Sequence, residues 1–184
     1  MRLGWQFLRD EDKQSLFKTM MADRAACPGP FHLEIDPFDA CNANCFFCNS
    51  KDIRHGAALP WDRLHRLLED AGPRGLRSIR LSGGGEPTLY PQFIEILRWL
   101  AAHGIKLDNL TSNGLRLSGL TAETLAQTPP AYLTISLNYA TAASYTRGMG
   151  LESGKFEQVC RNIQNFKKLL LDSGRDAQCQ IHIQ

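Results

Sequence analysis

The sequence predicts an α/β domain built on one parallel sheet of about five strands, with helices packed outside it. Three observations predict it. Short runs rich in Ile, Leu and Thr alternate with longer segments whose apolar residues recur at three- and four-residue steps. Glycine or proline marks most junctions between them. Strand–helix–strand order repeated along a chain favours parallel pairing with right-handed crossovers.

Residues 1–30 read as an N-terminal extension and residues 31–184 as the core domain. Within the extension, 14–26 reads as a short helix with Leu16, Phe17, Met20 and Met21 on one side, broken by Cys27-Pro28-Gly29-Pro30. Strand one is expected over 31–36, followed by a cysteine-rich loop to about residue 59. Helix one covers 60–70, with Trp61, Leu64, Leu67, Leu68 and Ala71 on its apolar face and Pro60 at its start. Strand two spans 76–81 and runs into Ser82-Gly83-Gly84-Gly85-Glu86-Pro87. Helix two starts at Pro91, turns Phe93, Ile94, Leu97, Leu100 and Ala101 inward, and ends at Gly104. Strand three covers 105–110 and leads into Thr111-Ser112-Asn113-Gly114. Helix three is short, with Thr121 as its N-cap and a Leu120–Leu125 hydrophobic staple. Strand four is 132–137. Helix four is 155–172, with Phe156, Val159, Cys160, Ile163, Phe166 and Leu170 as its stripe and Gly174 after it. Strand five is 179–184.

Composition narrows the function classes. The chain has 184 residues, 43% hydrophobic and 22% charged, which fits an ordinary globular domain and excludes collagen-like and low-complexity classes. No run approaches the ~18 apolar residues of a membrane span, and no signal-peptide core follows the N-terminal Met, so a cytoplasmic protein is expected. A net charge of +2 gives no electrostatic call for nucleic acid or membrane.

Ligands of parallel α/β folds bind beyond the C-terminal ends of the strands. The cysteine loop, the glycine run, Thr-Ser-Asn-Gly and Ser136-Leu137-Asn138 all fall at such ends, so the topology would gather them into one site.

Six cysteines are present, and Cys41, Cys45 and Cys48 form a C-x3-C-x2-C run. Thiolates are soft ligands that select zinc, copper(I) or iron–sulfur centres. Zinc sites usually draw on two separated ligand pairs, whereas three ligands in one wrap suit a compact cluster held along one side. An iron–sulfur cubane normally takes four cysteines, so three would leave one iron open. Phe46 and Phe47 are placed to shield such a centre from water. Two alternatives stay open: a structural zinc site with His55 or Cys27 as fourth ligand, and three incidental buried thiols.

With Phe47 before Cys48 and Gly84-Gly85-Glu86-Pro87 after strand two, the sequence resembles the radical S-adenosylmethionine (SAM) superfamily over residues 31–184. Leu33-Glu34-Ile35-Asp36, Ser112-Asn113-Gly114 and Ser136-Leu137-Asn138 add to the resemblance. It implies a partial (βα) barrel of the radical SAM type, here reaching about five strands of the usual six units. It implies a [4Fe–4S] cluster on Cys41, Cys45 and Cys48, with SAM chelating the fourth iron. Reductive cleavage of SAM would then give a 5′-deoxyadenosyl radical that abstracts hydrogen from a substrate, small molecule or peptide.

The family pattern assigns the SAM ammonium group to carbonyls of Gly84, Gly85 and Glu86, with Gly83 an extra glycine and Pro87 stiffening the turn. Phe47 is expected against adenine or the cluster. Ser136 and Asn138 are expected near the ribose or carboxylate, although many relatives carry Asp where Asn138 stands. Asn113 is expected to line the same cavity. No side chain stands out as a general acid or base. An electron donor such as a flavodoxin or ferredoxin is implied, and a partner or second copy could complete the barrel. The competing readings are a non-catalytic or partner-dependent cluster-binding half and a zinc-binding structural domain.

The remaining residues read as ordinary structure. Cys160 and Cys179 are expected in the core, His55 on a surface loop, and His65 and His103 on solvated helix faces. Arg74, Arg77 and Arg80 read as solvated or helix-end residues, with anion binding the less favoured role. Tyr145-Thr146-Arg147-Gly148 resembles a family segment after strand four.

Overall fold

Five short strands lie side by side in chain order, and every neighbouring pair is parallel. They are β1 (His32–Ile35), β2 (Ser78–Leu81), β3 (Lys106–Ser112), β4 (Tyr132–Ile135) and β5 (Gln180–Ile183). The helices between them are α1 (Trp61–Ala71), α2 (Phe93–His103), α3 (Gly119–Gln127), α4 (Ala142–Met149) and α5 (Lys155–Asp172). This computed structural model describes residues 29–184, with Ser15, Lys18 and Ala22 before them. Those three are helical and exposed; the rest of the helix expected over 14–26, and Cys27, lie outside the described residues.

The sheet has one apolar and one polar face. Leu33, Ile35, Ile79, Leu81, Leu107, Leu110, Leu133, Ile135 and Ile181 join the core with the helices. The alternate residues are polar and pair in register: Glu34 with Arg80, Arg80 with Asn109, Thr111 with Thr134, and Thr134 with His182. They hydrogen-bond across strands, as in His32 Nδ1 to Ser78 Oγ (2.8 Å), Ser82 Oγ to Glu34 (3.0 Å) and Asn109 Nδ2 to Thr134 Oγ1 (3.4 Å). A register shift between Ile79 and Arg80 gives β3 one extra residue. Successive strand residues face opposite sides, so the extra residue lets Leu107 and Leu110, three apart, both reach the helix layer.

Helix positions follow the expected stripes with specific departures. α5 covers the expected residues, and Val159, Phe166 and Leu170 are buried on it; Cys160 is only half-buried. Leu67 of α1 is exposed although Leu64, Leu68 and Ala71 are buried. In α2 the inward face holds Phe93, Ile96, Leu97, Trp99 and Leu100, while Ala101 is exposed and Ile94 half-buried. A one-turn 3₁₀ segment, Pro87–Leu89, precedes it, and Gly104 ends it with φ +64°. α3 starts before Thr121, with Ser118 at the N-cap position; Leu120 is exposed, so the expected staple onto buried Leu125 does not form.

The strand ends also differ. β3 continues to Ser112, while β4 stops at Ile135 and leaves Ser136 to Asn138 beyond the sheet. α4 was not expected. It is fenced by Thr141, whose hydroxyl accepts from the Ser144 N–H, and by Gly150 in the left-handed region. Among the described residues no helix is long and apolar enough to cross a membrane.

Candidate functional site

The loop after β1 is closed at its neck. Leu59 N donates to Pro37 O (2.9 Å), Asp39 N donates to Ala57 O (3.1 Å), and Phe38 forms an antiparallel bridge with Ala58. Cys41, Cys45 and Cys48 sit within this loop, all half-buried. Turns close over them, with Cys48 N donating to Cys45 O (3.1 Å) and Ala43 N to Cys41 Sγ (3.4 Å). The thiols share one electrostatic neighbourhood. Burial pushes the Cys45 thiol up, and the nearby Cys41 and Cys48 push it the same way. Burial also raises the Cys41 thiol, against the pull of the Ala43 N–H.

The glycine turn after β2 packs directly on this loop. A Cβ on Gly85 would lie 2.2 Å from Phe38 O and 2.4 Å from Ala40 O, and Glu86 N donates to that Ala40 carbonyl (2.8 Å). Gly83, at φ +139°, leaves the space that the Asp36 carboxylate fills, and Asp36 Oδ2 accepts from Gly84 N (2.7 Å). The missing side chains at Gly83 and Gly85 therefore make room for the chain itself.

Glu86, at the end of this turn, is 2% exposed. Its Oε1 accepts from Thr88 N (3.2 Å), Thr88 Oγ1 (2.6 Å) and Ser112 Oγ (2.7 Å), and its Oε2 accepts from Asn113 N (2.7 Å). Burial pushes its carboxyl up despite these donors. Asn113 carries the network onward. Its Nδ2 donates to Asn42 Oδ1 (2.7 Å) and lies 3.7 Å from Cys41 Sγ, while its Oδ1 accepts from Leu115 N (3.0 Å) in a local turn. The ends of β1, β2 and β3 thus meet through Cys41, Glu86 and Asn113.

α4 braces the other side. Its last carbonyls accept from the cysteine loop, Met149 O from Asn44 N (2.9 Å) and Gly148 O from Phe46 N (3.2 Å). Met149 Sδ lies 3.5 Å from Cys45 Sγ and 3.7 Å from Asn138 Nδ2. Gly148 has no room for a side chain, because Tyr139 fills it.

A family model for the radical SAM superfamily matches residues 35–174. The chain belongs to this superfamily. At the sequence level it is 32% identical over 153 residues to a probable GTP 3′,8-cyclase of Thermococcus kodakarensis, covering 82% of this chain and 48% of that protein. It is 35% identical over 137 residues to a GTP 3′,8-cyclase of Synechococcus elongatus, covering 70% and 39%. The chain spans about half the length of the first of these relatives, and less of the second. In fold it is similar to Streptococcus suis SuiB bound to S-adenosylmethionine, with a TM-score of 0.66 at 23% identity over 93% of this chain and 37% of that one. A second similar structure is anSMEcpe with bound AdoMet and a peptide, with a TM-score of 0.62 at 21% identity, covering 82% and 42%. These likenesses show the parallel (βα) architecture expected of a radical SAM partial barrel.

The superfamily's cofactors are a [4Fe–4S] cluster and SAM. The donor set of this chain fits the cluster: three soft thiolates on one wrap, close enough to feel one another. Among the described residues no group of three or more His, Cys, Asp or Glu side chains is set to hold a single metal ion. Zinc would need its thiolates drawn to about 2.3 Å from one point, whereas a cubane spreads its cysteines over separate irons.

The other expected radical SAM site residues divide. Phe46 and Phe47 are 68% and 45% exposed and stand at the loop surface as an edge-on pair with centroids 5.4 Å apart. Phe47 leans toward Tyr139 (6.4 Å). Ser136 lies just past β4, its N donating to Ser112 O (2.9 Å). Asn138 is the one described non-glycine residue with positive φ, at 60°. His55 is exposed, and its backbone N–H donates to Asp39. Sequence reasoning missed Arg54 and Met149, and singled out Asp36 and Tyr145 only as parts of segments that resemble the family. Asp36 had a readable signal, a carboxylate at a strand end facing a glycine run. Met149 gave none, since α4 itself is too short for its period to show.

Proposed function

We propose that this chain is the cofactor-binding core of a radical SAM enzyme, with Cys41, Cys45 and Cys48 as cluster ligands and the Gly84–Glu86 turn beside bound SAM. Held by these three thiolates, a [4Fe–4S] cluster would supply the one-electron reductive cleavage of SAM, to methionine and a 5′-deoxyadenosyl radical, for hydrogen abstraction from the substrate. The observation that carries this reading is Asn113, joined to Glu86 on one side and to Asn42 and Cys41 on the other. The residues of the chain act by placement. Glu86 fixes the turn through its carboxylate, leaving the backbone of Gly84 and Gly85 to define the wall. α4 holds the loop by its amides. Ser136 and Asn138 stand at the end of β4, where ribose or carboxylate contacts would come. Residues 31–184 act as one core unit and residues 1–30 as an extension, and the reducing electron comes from a donor such as a flavodoxin or ferredoxin.

Anaerobic reconstitution with iron and sulfide, then dithionite and SAM, should yield 5′-deoxyadenosine. Alanine at Cys41, Cys45 or Cys48 should abolish the cluster. A chain loaded with about four irons that releases no 5′-deoxyadenosine, alone or with a co-purifying protein, overturns the reading. Activity only with such a protein would mark the chain as a partner-dependent half.

GTP is the substrate we favour, because the relatives described above are named GTP 3′,8-cyclases. Arg80 supports an anionic substrate. It lies on the polar face of the sheet, 3.5 Å from Glu34, with its Nε buried and without a partner among the described residues. Deuterium transfer from ribose-deuterated GTP into 5′-deoxyadenosine tests this; transfer absent in a chain that cleaves SAM excludes GTP.

A further inference from the structure

The loop beyond Cys48 folds back on itself. Lys51 N donates to Cys48 O (3.4 Å) and Ile53 N to Ser50 O (3.2 Å), and these turns return Arg54 to the cysteine. Arg54 Nη2 lies 2.8 Å from Cys48 Sγ, and Nη1 lies 3.5 Å from Ala43 O, on the stretch between Cys41 and Cys45. Its third kind of donor, Nε, is buried and has no partner among the described residues. A buried donor without an acceptor is costly, because it has given up its water and gained nothing in return. A guanidinium is permanently charged and rigidly forked, so it cannot shed that cost by losing a proton. The arrangement makes sense if an acceptor arrives at the cysteines that the polypeptide does not itself provide.

We infer that Arg54 is a positioning residue that acts through Cys48, setting the reduction potential of the iron–sulfur centre by holding a charged hydrogen bond on one ligand sulfur. The inference rests on the reading of Cys41, Cys45 and Cys48 as cluster ligands. Potentials of such centres are set by net charge, by hydrogen bonds to the sulfurs and by solvent exposure. The reduced state carries one more negative charge, and a cation in contact with a ligand sulfur favours it. Phe46 and Phe47 stand exposed on the same loop, and Arg54 sets a positive charge directly against the Cys48 sulfur. The guanidinium also ties the segment between the first two cysteines to the third ligand, which fixes the shape of the wrap.

The test is the midpoint potential of the reconstituted full chain without SAM, followed by electron paramagnetic resonance, for the parent, Arg54→Gln and Arg54→Lys. Arg54→Gln should make reduction roughly tenfold less favourable, about 59 mV more negative for one electron. Arg54→Lys, which keeps the charge and loses the fork, should stay nearer the parent. Resonance Raman of the oxidised proteins should show the iron–thiolate stretch moving in Arg54→Gln, as expected when a hydrogen bond to sulfur is lost. An Arg54→Gln protein with parent iron and sulfide content and an unchanged potential overturns the inference and leaves the ligand reading intact. If Arg54→Gln fails to hold a cluster, Arg54→Lys decides: a loaded lysine variant near the parent potential supports the role of charge, and one displaced tenfold or more, or unable to load, overturns it. A parent chain that binds no four-iron cluster overturns the ligand reading and this inference together.

Discussion

Gly85 occupies a position where a Cβ would stand 2.2 Å from the carbonyl oxygen of Phe38. The contact presses the turn after β2 onto the loop after β1, and the second close atom, Ala40 O, belongs to the same loop. Both are backbone atoms and cannot rotate aside. Gly85→Ala should therefore lower the stability of the metal-free chain by about 3 kcal/mol or more, read from denaturant unfolding. Iron loading should fall with it, since Ala40 adjoins Cys41.

Glu86→Gln should destabilise the chain by about 2 kcal/mol. The carboxylate receives four donors, and an amide puts a donor of its own against at least one of them. The midpoint of urea unfolding should drop with its slope unchanged. Equal midpoints would show that the turn tolerates the lost acceptor.

Tyr145 is fully buried with its ring edge-on to Phe156 at 5.5 Å, and its hydroxyl has no partner among the described residues. Tyr145→Phe keeps the ring and removes the orphaned hydroxyl, so the metal-free chain should gain about 1 kcal/mol, measured by thermal unfolding. In the parent, burial pushes the phenol up to about 12. A folded value above the ordinary 10 means that its contribution is intact below pH 10 and is lost as the pH climbs toward about 12.

Cys179 is 7% exposed, and burial pushes its thiol up to about 11. In the folded, metal-free chain it should be alkylated by iodoacetamide at pH 8 far more slowly than half-buried Cys160, which peptide mapping by mass spectrometry would show. Its share of stability is fully present below the ordinary value of 9.0 and fades as the pH rises through about 11.

The strand order, the helix over 155–172 and the convergence of the motif-bearing loops were legible, because each rests on periodicity or on where loops fall in a parallel sheet. The expected core placement of Cys179 held, while Cys160 proved half-buried. The Leu120–Leu125 staple failed because α3 begins three residues earlier than Thr121 as N-cap implied, which turns Leu120 outward. The face of α2 was misread at Ile94 and Ala101, since its many apolar residues leave more than one plausible stripe. The polar face of the sheet was hard to read because the extra residue in β3 breaks the alternation that would have revealed it. The function of the glycines was half visible: a close approach was expected, but toward a ligand, and the fold spends Gly83 and Gly85 on Asp36 and on two carbonyls of its own loop. Arg54 could not be found from spacing, because it reaches Cys48 only through a chain of turns.

The carbonyls of Gly148 and Met149 hold the amides of Phe46 and Asn44, across a separation of about a hundred residues. Such distant pairing carries a large loop-closure cost and can form only once both segments are present. A ribosome releasing this polypeptide would expose all three thiols long before their brace emerges. Iron delivered during synthesis would meet an unshaped loop, and orderly maturation belongs after the segment around Met149 has left the exit tunnel.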